Sequence, residues 1–132
     1  MNAVIWHNPR CGTSRNTLAL LRHAGIEPTV VEYLKQVPDK DALVAMISAA
    51  GISVREAIRS KEAVYAELGL ADQALDDDAL LAAMLANPVL INRPFVRTDL
   101  GTRLCRPSEL VLEILPPLAT PFTKEDGSVI GG

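Results

Sequence analysis

The sequence predicts an α/β fold in which one mixed β-sheet is flanked by helices and a helical insertion occupies the middle of the chain. Three observations carry this reading. A β-rich apolar run, AVIWH at 3–7, is followed by a turn, a helical pattern and a second run, TVVEYL at 29–34. That order suits a parallel strand–helix–strand unit. From about residue 38 to 87 the pattern is helical throughout, with no long strand run. After it, FVRT and RLCR flank Asp99-Leu100-Gly101, as the arms of a hairpin flank its turn. A chain of 132 residues fits one domain, expected over 1–132.

Each element has a local cause. Asn8-Pro9 stops the first strand. Thr13 or Ser14 can cap the helix that follows, whose apolar positions include Leu18, Leu21 and Ala24, and Gly25 ends it. Pro38 and Asp39 open DKDALVAMISAAG, which runs to Gly51. Ser53 and Glu56 have the spacing of a capping box. EAVYAELGL reads as a short helix, and DDDALLAAML places its acids in a first turn, where they suit the helix dipole. VLIN at 89–92 reads as a strand leading into Arg93-Pro94. Pro107 opens SELVLEIL, a helix with Leu110, Val111 and Ile114 on one side, and Pro116-Pro117 ends it. The tail ATPFTKEDGSVIGG is punctuated by glycine and proline and is expected to be mobile at its very end.

Composition removes several function classes. Hydrophobic residues make up 48% and charged residues 22%, with net charge −3, so neither disorder nor broad nucleic-acid binding is suggested. Nine of the 13 cationic residues are arginine, whose planar fork of donors matches oxyanions. Two cysteines, Cys11 and Cys105, are too few for a disulfide framework. No secretory leader pattern opens the chain, and no apolar run approaches the ~20 residues of a membrane span. A soluble, cytoplasmic protein with reduced thiols is the expectation.

The stretch HNPRCGTSRNTLALL, residues 7–21, places Cys11 in a strand-to-helix turn rather than in an apolar stripe. Free cysteine is often a small buried hydrophobe. A helix start, however, presents unpaired N–H groups and partial positive charge, which favour the nucleophilic thiolate and also bind anions. Arg10 and Arg15 add to that field. Spacing excludes the obvious alternatives. A dithiol redox site would carry its second cysteine where Ser14 stands. A phosphatase loop would carry arginine where Thr17 stands. His7 and Cys11 alone are too few for zinc. A monothiol nucleophile remains.

His7 is either a base or field that tunes the thiolate, or a passive histidine at a strand end. His23 reads as a surface residue. Cys105 reads as a buried structural thiol, the alternative being a resolving partner for Cys11. Arg59, Arg93 and Arg106 lie in three separate segments, and each is a surface charge unless the fold gathers them. The Arg93-Pro94 bond is open to the cis form, which ~5–6% of such bonds adopt in folded proteins.

HNPRCGTSRNTL, VLINRPFVRTDLGTRLCRPSELVLEILP and KEDG together resemble the glutaredoxin-coupled arsenate reductases, over a span from Val4 to about Gly127. The resemblance implies a thioredoxin-like fold with a helical insertion. It implies a catalytic cysteine at Cys11, oxyanion-binding arginines at Arg59, Arg93 and Arg106, and thiolate-tuning residues at His7 and Ser14. It also makes a cis bond before Pro94 far more probable than the base rate. The implied reaction is reduction of arsenate to arsenite. Glutathione serves as co-substrate and glutaredoxin as partner, with no bound cofactor and no metal. The implied partners include no nucleic acid and no membrane. Two other classes are carried alongside: a non-enzymatic regulatory or adaptor protein on the same scaffold, and a general monothiol oxidoreductase acting on glutathione disulfides. Arg10 and Trp6 have no role in the resemblance.

Overall fold

A computed structural model describes residues 1–131. The chain forms two compact units. One joins Met1–Glu32 to the stretch from Arg93 onward, and the other is Tyr33–Asn92. The second is the helical insertion, extending beyond the expected 38–87 at both ends.

The first unit is built on a four-stranded sheet of β1 (Ala3–His7), β2 (Thr29–Glu32), β3 (Phe95–Thr98) and β4 (Gly101–Leu104), in the order β2-β1-β3-β4. β1 and β2 are parallel, with Val4 opposite Thr29 and His7 opposite Glu32. They are joined by α1 (Gly12–His23), which completes the expected strand–helix–strand unit. β3 runs antiparallel to both β1 and β4. This is the thioredoxin-like mixed sheet that the sequence predicts.

The register decides where the chemistry can be. Trp6 at the end of β1 lies opposite Phe95 at the start of β3, and Phe95 lies opposite Leu104 at the end of β4. The turn after β1, the residues before β3 and the residues after β4 therefore share one end of the sheet. The Cys105 N–H donates to the Pro94 carbonyl at 2.8 Å and fastens the last two together.

Both sheet faces are buried, Trp6 and Phe95 lying on one of them, and the other packs against α1. Ala3, Ile5 and Val96 meet Leu20 and Leu21 of α1 and Val111 and Ile114 of the segment after β4. Each fully buried side chain of this kind contributes about 1.5–3 kcal/mol before conformational entropy is charged against it. On α1 the buried positions are Ser14, Thr17, Leu20 and Leu21, one helical face. Core packing thus draws Ser14 inward along with the leucines.

Two expectations are corrected. Ser108–Ile114 is a 3-10 helix rather than an α-helix. Its buried residues are Ser108, Val111 and Ile114, and that repeat of three is the period of a 3-10 turn. The tail, for which the sequence offered no element, carries a hairpin: β5 (Phe122–Thr123) pairs with β6 (Val129–Ile130) across a turn at Gly127, where φ is +88°. Phe122 and Ile130 pack against the core, and the His23 ring lies 5.4 Å from that of Phe122. Gly132, at the end expected to be mobile, lies outside the described residues.

The second correction falls in the helical unit. VLIN is not a strand. Pro88–Leu90 is a 3-10 turn with proline in its first turn, and only a single bridge follows, Ile58 to Ile91. Proline suits the first position of a helical turn because it has no N–H to satisfy there. The rest of this unit is α2 (Lys40–Ala49), α3 (Val54–Ala57), α4 (Ala63–Glu67) and α5 (Asp77–Ala86). Asp39 and Asp76 cap α2 and α5, and Ser53 with Glu56 forms the capping box on α3. Among the described residues no helix is long and apolar enough to cross a membrane.

Candidate active site

Cys11 is the N-cap of α1, two residues earlier than Thr13, the nearer of the two expected caps. Its N–H donates to the Asn8 carbonyl at 3.0 Å, and its carbonyl accepts the Arg15 N–H at 3.0 Å. The Asn8 side chain accepts from the Arg10 N–H at 3.0 Å. The Asn8–Cys11 turn is thereby held by its own backbone, and the sulfur stands half-buried at the start of the helix.

Arg106 reaches this sulfur from the far side of β4. Its Nη1 is 3.5 Å from Cys11 Sγ and donates to the Arg93 carbonyl at 3.0 Å. Arg93, itself buried, also donates toward the sulfur. Both arginines precede a cis peptide bond to proline, Arg93-Pro94 and Arg106-Pro107. The second was not expected, since nothing in the residues around Pro107 signals it.

Burial by itself raises the Cys11 thiol. The Ser14 backbone N–H and the guanidinium groups of Arg106 and Arg93 outweigh burial and hold the thiol below its ordinary range. Cysteine makes no side-chain capping bond of strict geometry here. The Ser14 N–H nevertheless acts on the sulfur, as a first-turn donor left over by the helix would.

Ser14 is fully buried. Its hydroxyl oxygen accepts from the Asn8 N–H at 3.1 Å and lies 2.6 Å from His7 Nδ1. His7 is held below its ordinary value, chiefly by burial and further by Arg22 and Arg15, against an opposing pull from Glu32. A neutral His7 therefore shares a proton with Ser14, and Ser14 in turn supplies the backbone N–H to Cys11. His7, Ser14, Cys11, Arg93 and Arg106 are one connected group.

Arg59 lies in the helical unit. Its backbone N–H donates to the Leu90 carbonyl at 2.7 Å, and its Nε pairs with Glu62 at 3.2 Å. Cys105 is fully buried in the sheet-and-helix core, and burial pushes its thiol up to about 12. Such a thiol is inert at neutral pH. Among the described residues no cluster of three or more histidine, cysteine, aspartate or glutamate side chains could hold a metal.

The arrangement can do one kind of chemistry well. It presents a thiolate beside convergent N–H and guanidinium donors, so a tetrahedral oxyanion bound there is placed against a nucleophile. Comparison with known proteins agrees with this class. Residues 6–114 match the ArsC family, and the chain belongs to it. An arsenate reductase of Rhizobium meliloti (strain 1021) is 63% identical over 131 residues, covering 98% of this chain and 94% of the relative. One of Escherichia coli (strain K12) is 55% identical over 130 residues, covering 98% and 92%. The solved structure of an arsenate reductase from Vibrio cholerae superposes with a TM-score of 0.84 at 48% identity, covering 87% of this chain and 98% of that one.

Proposed function

We propose that this chain reduces arsenate to arsenite, with Cys11 as the single nucleophile and glutathione and glutaredoxin as the external thiols. The observation that carries the reading is the half-buried Cys11 sulfur set between the α1 N-terminus and the Arg106 guanidinium at 3.5 Å.

Arsenate binds with its oxygens against the first-turn N–H groups and the guanidinium groups of Arg93 and Arg106. Arginine serves here because it stays cationic at any working pH and offers several donors in one plane. The pattern of the family adds Arg59 to this set. The Cys11 thiolate attacks arsenic, an S–As bond forms, and an oxygen leaves as water after protonation. His7 and Ser14 tune this step by fixing the Ser14 N–H against the sulfur. Glutathione then attacks the same arsenic and displaces a second oxygen as water. The glutaredoxin thiolate attacks the glutathionyl sulfur, and the pair of electrons in the As–S bond to glutathione stays on arsenic. Arsenic(V) becomes arsenic(III), while the two external thiols become a mixed disulfide. Hydrolysis of the remaining S–As bond releases arsenite and returns Cys11. No bound cofactor enters this sequence, and it needs a compartment that keeps thiols reduced, such as the cytoplasm.

The need for an outside thiol follows from Cys105. It is buried in the core with a thiol raised to about 12, and so is a poor resolving group. The test is a coupled assay in which arsenate, glutathione and glutaredoxin are each omitted in turn. Arsenite formation that needs all three supports the reading. Turnover of glutathione mixed disulfides with none on arsenate would instead identify a general monothiol oxidoreductase, and no turnover with either would leave a binding protein.

A further inference from the structure

Four side chains around the tail hairpin have no part in that chemistry: Arg15, Glu109, Lys124 and Glu125. The β5–β6 turn carries Lys124 and Glu125 side by side, and the two point to different segments. Glu125 grips the cysteine helix. Its carboxylate accepts from Arg15 Nε at 2.9 Å and Nη2 at 3.0 Å, a two-pronged fork, and its backbone N–H donates to Asn16 Oδ1 at 3.0 Å. The same Arg15 donates from Nη1 to the Pro9 carbonyl at 3.0 Å, two residues before Cys11. The pair lies close over Gly12, where an added Cβ would meet Arg15 Nη2 at 3.6 Å and Glu125 Oε1 at 3.9 Å.

Lys124 grips the other side. Its Nζ donates to Glu109 Oε1 at 2.8 Å, and that oxygen also accepts from the Ser108 hydroxyl at 3.0 Å. Ser108 and Glu109 open the 3-10 helix, two and three residues beyond Arg106. One turn therefore holds both segments whose meeting brings Cys11 Sγ to Arg106.

We propose that the β5–β6 turn is a strap that positions Cys11 against Arg106, with Arg15 and Glu125 anchoring the cysteine side and Lys124 and Glu109 the arginine side. These are positioning residues, and the proposal concerns only the thiolate, so it stands whether or not arsenate is the substrate. It separates cleanly from a simple field effect. Glu125 and Glu109 are anions, and deleting an anion near a thiol makes the thiolate easier to form. Deleting an anchor of the strap loosens Arg106 from the sulfur and makes the thiolate harder to form. The two accounts predict opposite signs.

The experiment is the pH dependence of Cys11 alkylation by iodoacetamide in the full chain, comparing wild type with Glu125→Ala and Glu109→Ala. Circular dichroism verifies that each variant is folded. Cys105 is silent in the folded protein because it is buried with its thiol raised to about 12. The strap predicts a midpoint moved upward in both variants. It predicts a rate at about pH 6 lowered roughly three- to tenfold, merging with wild type near about pH 10 where the thiol is ionised in every protein. A midpoint that stays or falls in either variant overturns the proposal.

Discussion

Replacing Arg106 with glutamine removes a cation 3.5 Å from the Cys11 sulfur and leaves a neutral polar side chain that ends two atoms short of that contact. The size of the effect can be worked from that contact. A hydrogen bond to a charged partner contributes about 1.5–3 kcal/mol net. This one is long, its acceptor is sulfur, and Cys11 is half-buried rather than dry, so solvent screening lowers the expectation to about 1–2 kcal/mol. Read as a rate, that is roughly a 5- to 30-fold loss of Cys11 reactivity at neutral pH. Turnover on arsenate falls further than alkylation, because Arg106 also donates to the backbone carbonyl of the buried Arg93 at 3.0 Å and ties that segment to the site. The assay is therefore double: iodoacetamide alkylation of Cys11, and kcat/KM for arsenate with glutathione and glutaredoxin. Arg106→Lys keeps the charge without the fork. It should restore most of the alkylation rate and little of kcat/KM. An Arg106→Gln protein whose alkylation at neutral pH stays within about twofold of wild type would refute the placement of Arg106 as the counter-charge of the thiolate.

Other perturbations reach the supports of the site. Ser14→Ala leaves the backbone N–H that faces Cys11 but strips the acceptor from the Asn8 N–H and the partner from His7; a loss of about 1–3 kcal/mol is expected in urea unfolding, and an unchanged midpoint would mean the buried hydroxyl does no holding. His7 gives an acid-side signature. Its folded value lies below the ordinary 6.5, so the unfolded chain takes up the proton first and stability falls as pH drops below about 6.5. The carboxylates that Arg15 and Lys124 hold down, Glu125 and Glu109, add their own loss only below their ordinary 4.5. Unfolding curves between about pH 7 and pH 5 should therefore slope in wild type and flatten in His7→Asn, and equal slopes would contradict the assignment.

Much of this was legible in the sequence, for reasons that differ by element. AVIWH and TVVEYL are apolar runs stopped by turn residues, and such local signals survive into the fold as β1 and as β2, which ends at Glu32, two residues short of the expected 34. Asp39 and the Ser53–Glu56 box cap helices where expected, because a cap is a bond across three residues and leaves its mark in three letters, and Asp76, expected in a first turn, is instead the N-cap of α5. Failures came where the deciding partner is distant in the chain. VLIN is β-branched and apolar, yet Pro88 starts a helical turn and only Ile91 finds a bridge, to Ile58. The tail hairpin left no signal in the sequence because two-residue strands carry no periodicity; what fixes it is Glu125 meeting Arg15, 110 residues away.

The site divides in the same way. Cys11 was readable from one turn, and Ser14 stood out as the place of a missing second thiol. The meeting of Arg106 with Cys11 spans 95 residues and depends on the antiparallel register of β1, β3 and β4. Only the likeness to a family could have named it in advance. The burial of Ser14 follows from helix phase, since it shares the face of α1 that carries Leu21, and could have been read from spacing alone.

The central claim is that one thiol of this chain does the chemistry and the second comes from outside. Steady-state arsenate reduction by Cys11→Ser and Cys105→Ser, each with glutathione and glutaredoxin present, tests it most directly. The expected result is no turnover from Cys11→Ser and turnover within a few-fold of wild type from Cys105→Ser. Persistent reduction by Cys11→Ser, or its abolition in a folded Cys105→Ser protein, would contradict the claim.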